Sequence, residues 1–263
     1  MDTQRRNWIF GAISLSVGLG GYTHASAAAI DTDALEAFNV GNWALAARLA
    51  EAKADEENLV FAARAIATQI SLQRPSTCSA RTMSGFRRLI DLAAARNPHN
   101  VQAKLLDAVY DLFRARQIGP VRAFVDGAAT RGKQKLEVII RTSPNNAEAH
   151  ALLGSWHYEA LRFSNQRTAG LIGASELLGR QAFARARVIA PRDTSIPFLE
   201  ANGILLLNPR ENAEDAIKAL GVVVGAGTLN QLQRIIKGRA QRLLILLLAQ
   251  DYTGATNLVL SWL

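Results

Sequence analysis

The stretch Pro144-Asn145-Asn146-Ala147-Glu148-Ala149-His150-Ala151-Leu152-Leu153-Gly154-Ser155-Trp156-His157-Tyr158 decides how this chain folds. Proline cannot continue a helix, and an asparagine just after it can cap a new one. From Ala147 the apolar residues recur at helical spacing, with Ala149, Leu152, Leu153, Trp156, Ala160 and Phe163 on one stripe. Ala151, Ser155, Tyr158, Glu159 and Arg162 fall on a second face. The stretch predicts a break, a cap and an amphipathic helix with Gly154 midway.

The same punctuation recurs. Asn97-Pro98-His99-Asn100-Val101-Gln102-Ala103 aligns with Ser143-Pro144-Asn145-Asn146-Ala147-Glu148-Ala149, and more loosely with Ala190-Pro191-Arg192-Asp193-Thr194-Ser195-Ile196. The prolines are 46 and 47 residues apart, and Gly85, Gly132 and Gly179, each placed to open a second helix, are 47 apart. Two markers repeating in phase predict stacked helical hairpins, each burying its apolar stripe against the next.

Within this repeat the residues resemble the tetratricopeptide repeat. Leu153-Gly154 falls at that family's leucine-glycine step and His157 near its aromatic position. Gly179, Phe183, Ala186 and Pro191 fall at the small, aromatic, alanine and proline positions of the second helix, and Gly41, Trp43 and Ala46 match a family corner. The resemblance implies an all-α, right-handed superhelix of antiparallel hairpins, an α-solenoid. A repeat of about 47 residues is about 13 longer than the family's 34, a length HEAT-like hairpins also reach. In the hairpin from Ala147 to Pro191 the extra residues fall between Phe163 and Ser175.

The flanking chain reads the same way. Asp31-Thr32-Asp33 caps a first helix, and Gly41-Asn42-Trp43 turns into a second. A long helix carries Leu59, Ala62, Ala63, Ile66 and Ile70 and ends before the polar segment 73–82; its partner runs from about Ser84 to Arg96. After Pro191, one helix holds Phe198, Leu199 and Ile204 to Leu207, and another runs from Ala213 to Val224. Gly225-Ala226-Gly227 breaks that helix. A last helix holds Leu232 to Leu247, apolar all round from Leu243 to Ala249, and reads as a buried cap. The closing segment 257–263 is expected to pack back on the stack. The organisation is thus a signal peptide (1–29), a tetratricopeptide-like domain (30–224) and C-terminal capping helices (225–263).

The chain is 263 residues long, 49% hydrophobic and 20% charged, enough for a sizeable core. Its net charge of +8 fits either an anionic partner or simply an arginine-rich composition. Arg5-Arg6, an apolar run from Trp8 to Leu19 and the small-x-small sites Ala25-Ser26-Ala27 and Ala27-Ala28-Ala29 read as a cleaved export signal. The expected location is periplasmic or secreted, with membrane contact at most peripheral. Cys78, the one cysteine, cannot form an intramolecular disulfide.

No Ser-His-Asp signature, phosphate loop or zinc motif is present, and His150 and His157 stand seven apart rather than four. No catalytic residue, metal or cofactor is expected. In tetratricopeptide proteins the second face of the first helix lines a peptide-binding groove. The resemblance carries that role to Ser155, Tyr158, Glu159 and Arg162, to Leu105, Val109 and Phe113 one hairpin earlier, and to Phe198 and Asn202 one later. An apolar floor with arginine edges would suit a segment bearing an acidic residue. The sequence therefore leads to a non-catalytic envelope adaptor for a protein or peptide, and not to a nucleic-acid binder. The alternative is an accessory subunit of an envelope transport system that handles a small anionic or apolar ligand.

Overall fold

The computed structural model describes residues 30–73, 78–163, 169–170 and 172–262. The segment expected to be an export signal (1–29) and most of the segment expected to be a loop after Phe163 lie outside the described residues. The described residues are helical and contain no strand. The helices are α1 (Thr32–Asn39), α2 (Trp43–Lys53), α3 (Glu56–Leu72), α4 (Ala80–Arg96), α5 (Val101–Ile118), α6 (Pro120–Asp126) and α7 (Ala128–Thr142). They continue as α8 (Ala147–Phe163), α9 (Glu176–Ile189), α10 (Ser195–Leu207), α11 (Ala213–Gly225), α12 (Gln231–Leu248) and α13 (Tyr252–Ser261). Helices adjacent in the chain pack on one another, and α5 pairs with α7 across the short α6. This arrangement is compatible with a helical solenoid. No described helix is long and apolar enough to cross a membrane.

The boundaries follow from cap chemistry. Asp31, Asn42, Asp55, Ser79, Asn100, Ser175, Asn230 and Asp251 each accept a backbone N–H of the first turn they precede. Asn146 does the same for α8, accepting from Ala149 N at 2.9 Å. Because Ser79 caps α4, that helix begins inside the segment expected to be a polar loop. Gly41 turns the chain with φ +90°, which a side chain would strain.

The helices fall into two kinds. Helices α4, α7, α9 and α11 bury a single stripe. Helices α3, α5, α8 and α10 are buried on nearly every side. The core forms two main clusters that meet on α8: Ala149, Leu152 and Trp156 pack with α1–α5 and α7, while Ala151 and Tyr158 pack with α9–α13. One helix thus serves two cores on its two faces. This corrects the expected free face. Leu105, Val109, Phe113, Ser155, Tyr158, Glu159, Phe198 and Asn202 are all buried in the chain's own packing, and Arg162 is half-buried.

Close approach is made possible by glycine. A β-carbon on Gly179 would stand 2.6 Å from Cε1 of Tyr158, one on Gly203 closer still to that ring, and one on Gly154 2.6 Å from Cδ2 of Phe183. The Tyr158 and Phe183 rings stack at 5.6 Å in the space these residues leave. Gly132 likewise admits Leu112 of α5. Gly132 and Gly179 therefore sit near the starts of α7 and α9, where each helix crosses its partner. Gly85, the third of the set, has open space around it.

The C-terminal helices fold back. Trp262 lies 5.9 Å from Phe198 of α10, and the Arg239 guanidinium stands 5.0 Å over the Trp262 ring. Arg239 also donates to the Leu72 carbonyl at the end of α3, at 3.4 Å. Packing back of the closing segment agrees with expectation. The all-round burial of the end of α12 does not: Leu243 and Leu247 are buried, but Ile245 is 67% and Leu248 66% exposed. The helix has only one neighbour-facing side there.

Alanine is ordinarily better than glycine inside a helix by about 0.5–1 kcal/mol. For Gly203→Ala the overlap with Tyr158 outweighs that gain, and a net loss of about 1–2 kcal/mol is expected in urea unfolding. Gly221→Ala, with nothing within 4 Å of the added carbon, should be neutral or stabilising.

Candidate functional site

Two cap turns of the sequence repeat come together to make a cavity. The turn into α8 (Ser143 to Glu148) faces the turn into α10, represented by Ala190 and Asp193, with Gln102 of α5 completing the wall. The space measures about 510 Å³, within the range of small-ligand sites. Its walls are fixed locally. His150 Nε2–H donates to the Pro144 carbonyl at 3.0 Å, and Arg185 donates to Asn145 Oδ1 at 2.9 Å. Asp193 Oδ1 accepts from Ser195 N at 3.0 Å and Ser195 Oγ at 2.6 Å.

Behind the cavity lies Arg64 of α3, whose side chain is fully buried. Its guanidinium donates to both Glu148 oxygens, at 3.2 and 3.1 Å, and to Gln102 Oε1. Burial pushes the Glu148 carboxyl up against the pull of Arg64, and the nearby Asp193 charge adds to the rise. Burial also raises Asp193, opposed by its Ser195 hydrogen bonds and by Arg64. One guanidinium thus serves two desolvated carboxyls.

Two other features bear on chemistry. His157 is buried, its Nδ1 accepts from Ser175 N at 3.3 Å, and burial together with Lys133 lowers its pKa to about 4. It is therefore a neutral acceptor that fixes the start of α9. Burial pushes the Cys78 thiol up, away from a thiolate. No group of three or more His, Cys, Asp or Glu that could hold a metal occurs among the described residues.

The residues expected to line a groove are divided among different contacts. Glu159 is ion-paired with the buried Arg116 at 2.7 Å. Phe198 is against Trp262, and Tyr158 is stacked on Phe183. Ser155 Oγ, Tyr158 OH and Asn202 Oδ1 are buried without a hydrogen-bond partner among the described residues. The Arg162 guanidinium lies 4.7 Å over the Phe163 ring and is lowered by burial. Leu105, Val109 and Phe113 belong to the first core cluster. The cavity residues Gln102, Glu148 and Asp193 were not singled out from the sequence as a site. Their signal was present in the alignment of the cap turns, where Asp193 occupies the place of Asn100 and Asn146.

No family model, curated protein or solved structure matches the chain.

Removing Glu148 would leave Arg64 charged and buried. Glu148→Ala is expected to cost about 3–5 kcal/mol in chemical unfolding, whereas Arg64→Met with Glu148→Leu should recover most of it. A second outcome concerns pH. The His157 pKa in the fold lies below its unfolded value of about 6.5, so the unfolded chain binds the extra proton. Stability is then greatest above about pH 6.5 and falls towards pH 4, by up to about 3 kcal/mol from this residue. Unfolding curves of His157→Gln should lack that part of the acid slope.

Proposed function

We propose that this chain is an exported, non-catalytic adaptor of tetratricopeptide type, a right-handed superhelix of hairpins with a repeat of about 47 residues. It holds a protein or peptide partner in the cell envelope. The observation that carries this reading is the cavity between the turns into α8 and α10. Its walls are helix caps locked by the Arg64–Glu148–Gln102 contacts, so it is preformed and needs little ordering to accept a ligand. Its polar groups hold one another in place, which suits gripping. The binding surface is thereby moved from the buried second face of α8 to the ends of the helices.

Nucleic acid is disfavoured as a partner. Arg87, Arg88, Arg114, Arg131, Arg180 and Arg187 each engage a carboxylate of the same chain, which leaves less of the positive charge for phosphates. A second reading, an accessory subunit of an envelope transporter, draws on the cavity volume, which is also that of a small-molecule site.

Expressed with its first 29 residues, the chain is expected in the periplasmic fraction with a new N-terminus at Ala28 or Ile30. Crosslinking there should yield one saturable partner, whose affinity for the purified chain drops at least about tenfold when Ala147→Phe fills the cavity. Circular dichroism should show that variant folded. Recovery of the chain in the cytoplasm, or partner affinity unchanged by Ala147→Phe, would count against the reading.

A further inference from the structure

The C-terminal half of α12 is apolar on every side but covered on only one. Leu243 and Leu247 face the core, whereas Ile245 and Leu248, on the opposite side, are 67% and 66% exposed. Gln241, Arg242, Ala249 and Asp251 beside them are exposed too. A single exposed leucine is ordinary on a protein surface. Two large apolar side chains three residues apart form a ridge, against which a second helix can pack.

The charges flanking this ridge are unmatched within the chain. Arg242 makes no ion pair among the described residues, and its charge helps to lower the pKa of the neighbouring Arg239. Asp251 caps α13, its Oδ1 accepting from Gly254 N at 2.8 Å, and no cation among the described residues pairs with it. The order of these residues is self-complementary. In an antiparallel pair of identical helices related by a twofold axis, opposed residue numbers keep one sum. With Ile245 opposite Leu248 of a second copy, Leu244 falls opposite Ala249. Arg242, three before Ile245, falls opposite Asp251, three after Leu248. The second copy's Arg242 then also stands at the C-terminal end of α12, where the helix dipole is negative.

We infer that this face of α12 is a dimer interface between two copies of the chain, built on Ile245 and Leu248 and rimmed by two Arg242–Asp251 pairs. An acidic peptide or an anionic lipid surface would match Arg242 but set a like charge against Asp251. A second copy matches both. Such a contact is isologous, so it closes at two chains and does not propagate. It spans about three helical turns and covers on the order of 1,000 Å², the size of a weak, reversible interface. A dissociation constant of tens of micromolar is therefore expected, on the order of 10⁻⁵ M. The inference goes beyond the adaptor reading and does not depend on it, since no described residue lining the cavity beside α8 and α10 belongs to α12 or α13.

The test is sedimentation equilibrium of the 263-residue chain from about 1 μM to about 1 mM, where a monomer–dimer equilibrium is expected. Ile245→Gln with Leu248→Gln changes only exposed positions, and circular dichroism should show the helices kept. That pair of changes should weaken the dimer at least about tenfold. Arg242→Gln should weaken it roughly 3- to 10-fold, because two ion pairs are lost per dimer. Asp251→Asn, which retains a cap for α13, should do the same, and the combination should cost no more than either change alone. A chain that stays monomeric throughout overturns the inference. So does association untouched by the Ile245 and Leu248 changes, which would place the contact on another surface. Fully additive effects of the Arg242 and Asp251 changes would show that these charges do not face each other, and overturn it as well. A monomer whose binding to phosphatidylglycerol vesicles or to an acidic peptide is lost with Ile245→Gln and Leu248→Gln also overturns it, and assigns the face to that occupant. Capture of an envelope partner, whatever the oligomeric state, bears on the adaptor reading alone.

Discussion

Everything in this fold depends on how near α9 and α10 can come to α8. Two helices that carry side chains at their crossing stand 8–10 Å apart. Here Gly154 on α8 meets Phe183, while Gly179 on α9 and Gly203 on α10 both meet Tyr158. Each missing side chain is replaced by an aromatic ring from the opposite helix, so space is filled rather than left void. The result is a helix gripped from two sides, with Leu152 and Trp156 in one core cluster and Tyr158 in the other. A helix in that position has little face left over for a visitor.

Charge is treated in the same economical way. Arg64 and Arg116 sit far from water and Arg239 is half-buried, and each is matched differently: by a two-oxygen contact with Glu148, by a 2.7 Å contact with Glu159, and by a helix-end carbonyl and an indole face. Burying a guanidinium is costly unless its donors are occupied. Arg239 has no carboxylate contact among the described residues, and burial together with the like charge of Arg242 brings its pKa down to about 10. The α-helical carbonyl it uses carries the negative end of the α3 dipole, which supplies part of the missing countercharge.

Most of the architecture could be read from caps and spacing. Asn100 and Asn146, each two residues after a proline, begin α5 and α8 as expected, and Gly41-Asn42 makes the first corner. The burial of the second face was less visible. Its apolar residues Leu105, Val109, Phe113 and Phe198 fit a greasy groove as well as an interior, and periodicity cannot separate the two. The helix 195–207 gave the stronger hint, being apolar on all sides, a pattern that belongs to an interior element. Arg64, alone in a run of alanines, signalled that a buried partner must exist. Naming Glu148, 84 positions away, needed the tertiary structure. The cavity escaped notice because it is built from turn residues, whose first role is to cap.

These distant contacts alter what kind of object the chain is. Where each module touches only the modules beside it, a module can be added or lost and the remainder survives. Arg64 bridges 84 positions and Arg239 bridges 167 to reach Leu72. Excising a hairpin between Arg64 and Glu148 would leave a buried guanidinium misaligned with its carboxylate, and inserting one would pull the pair apart. The number of hairpins is therefore a fixed property of the assembly, and growth by duplication is closed to it.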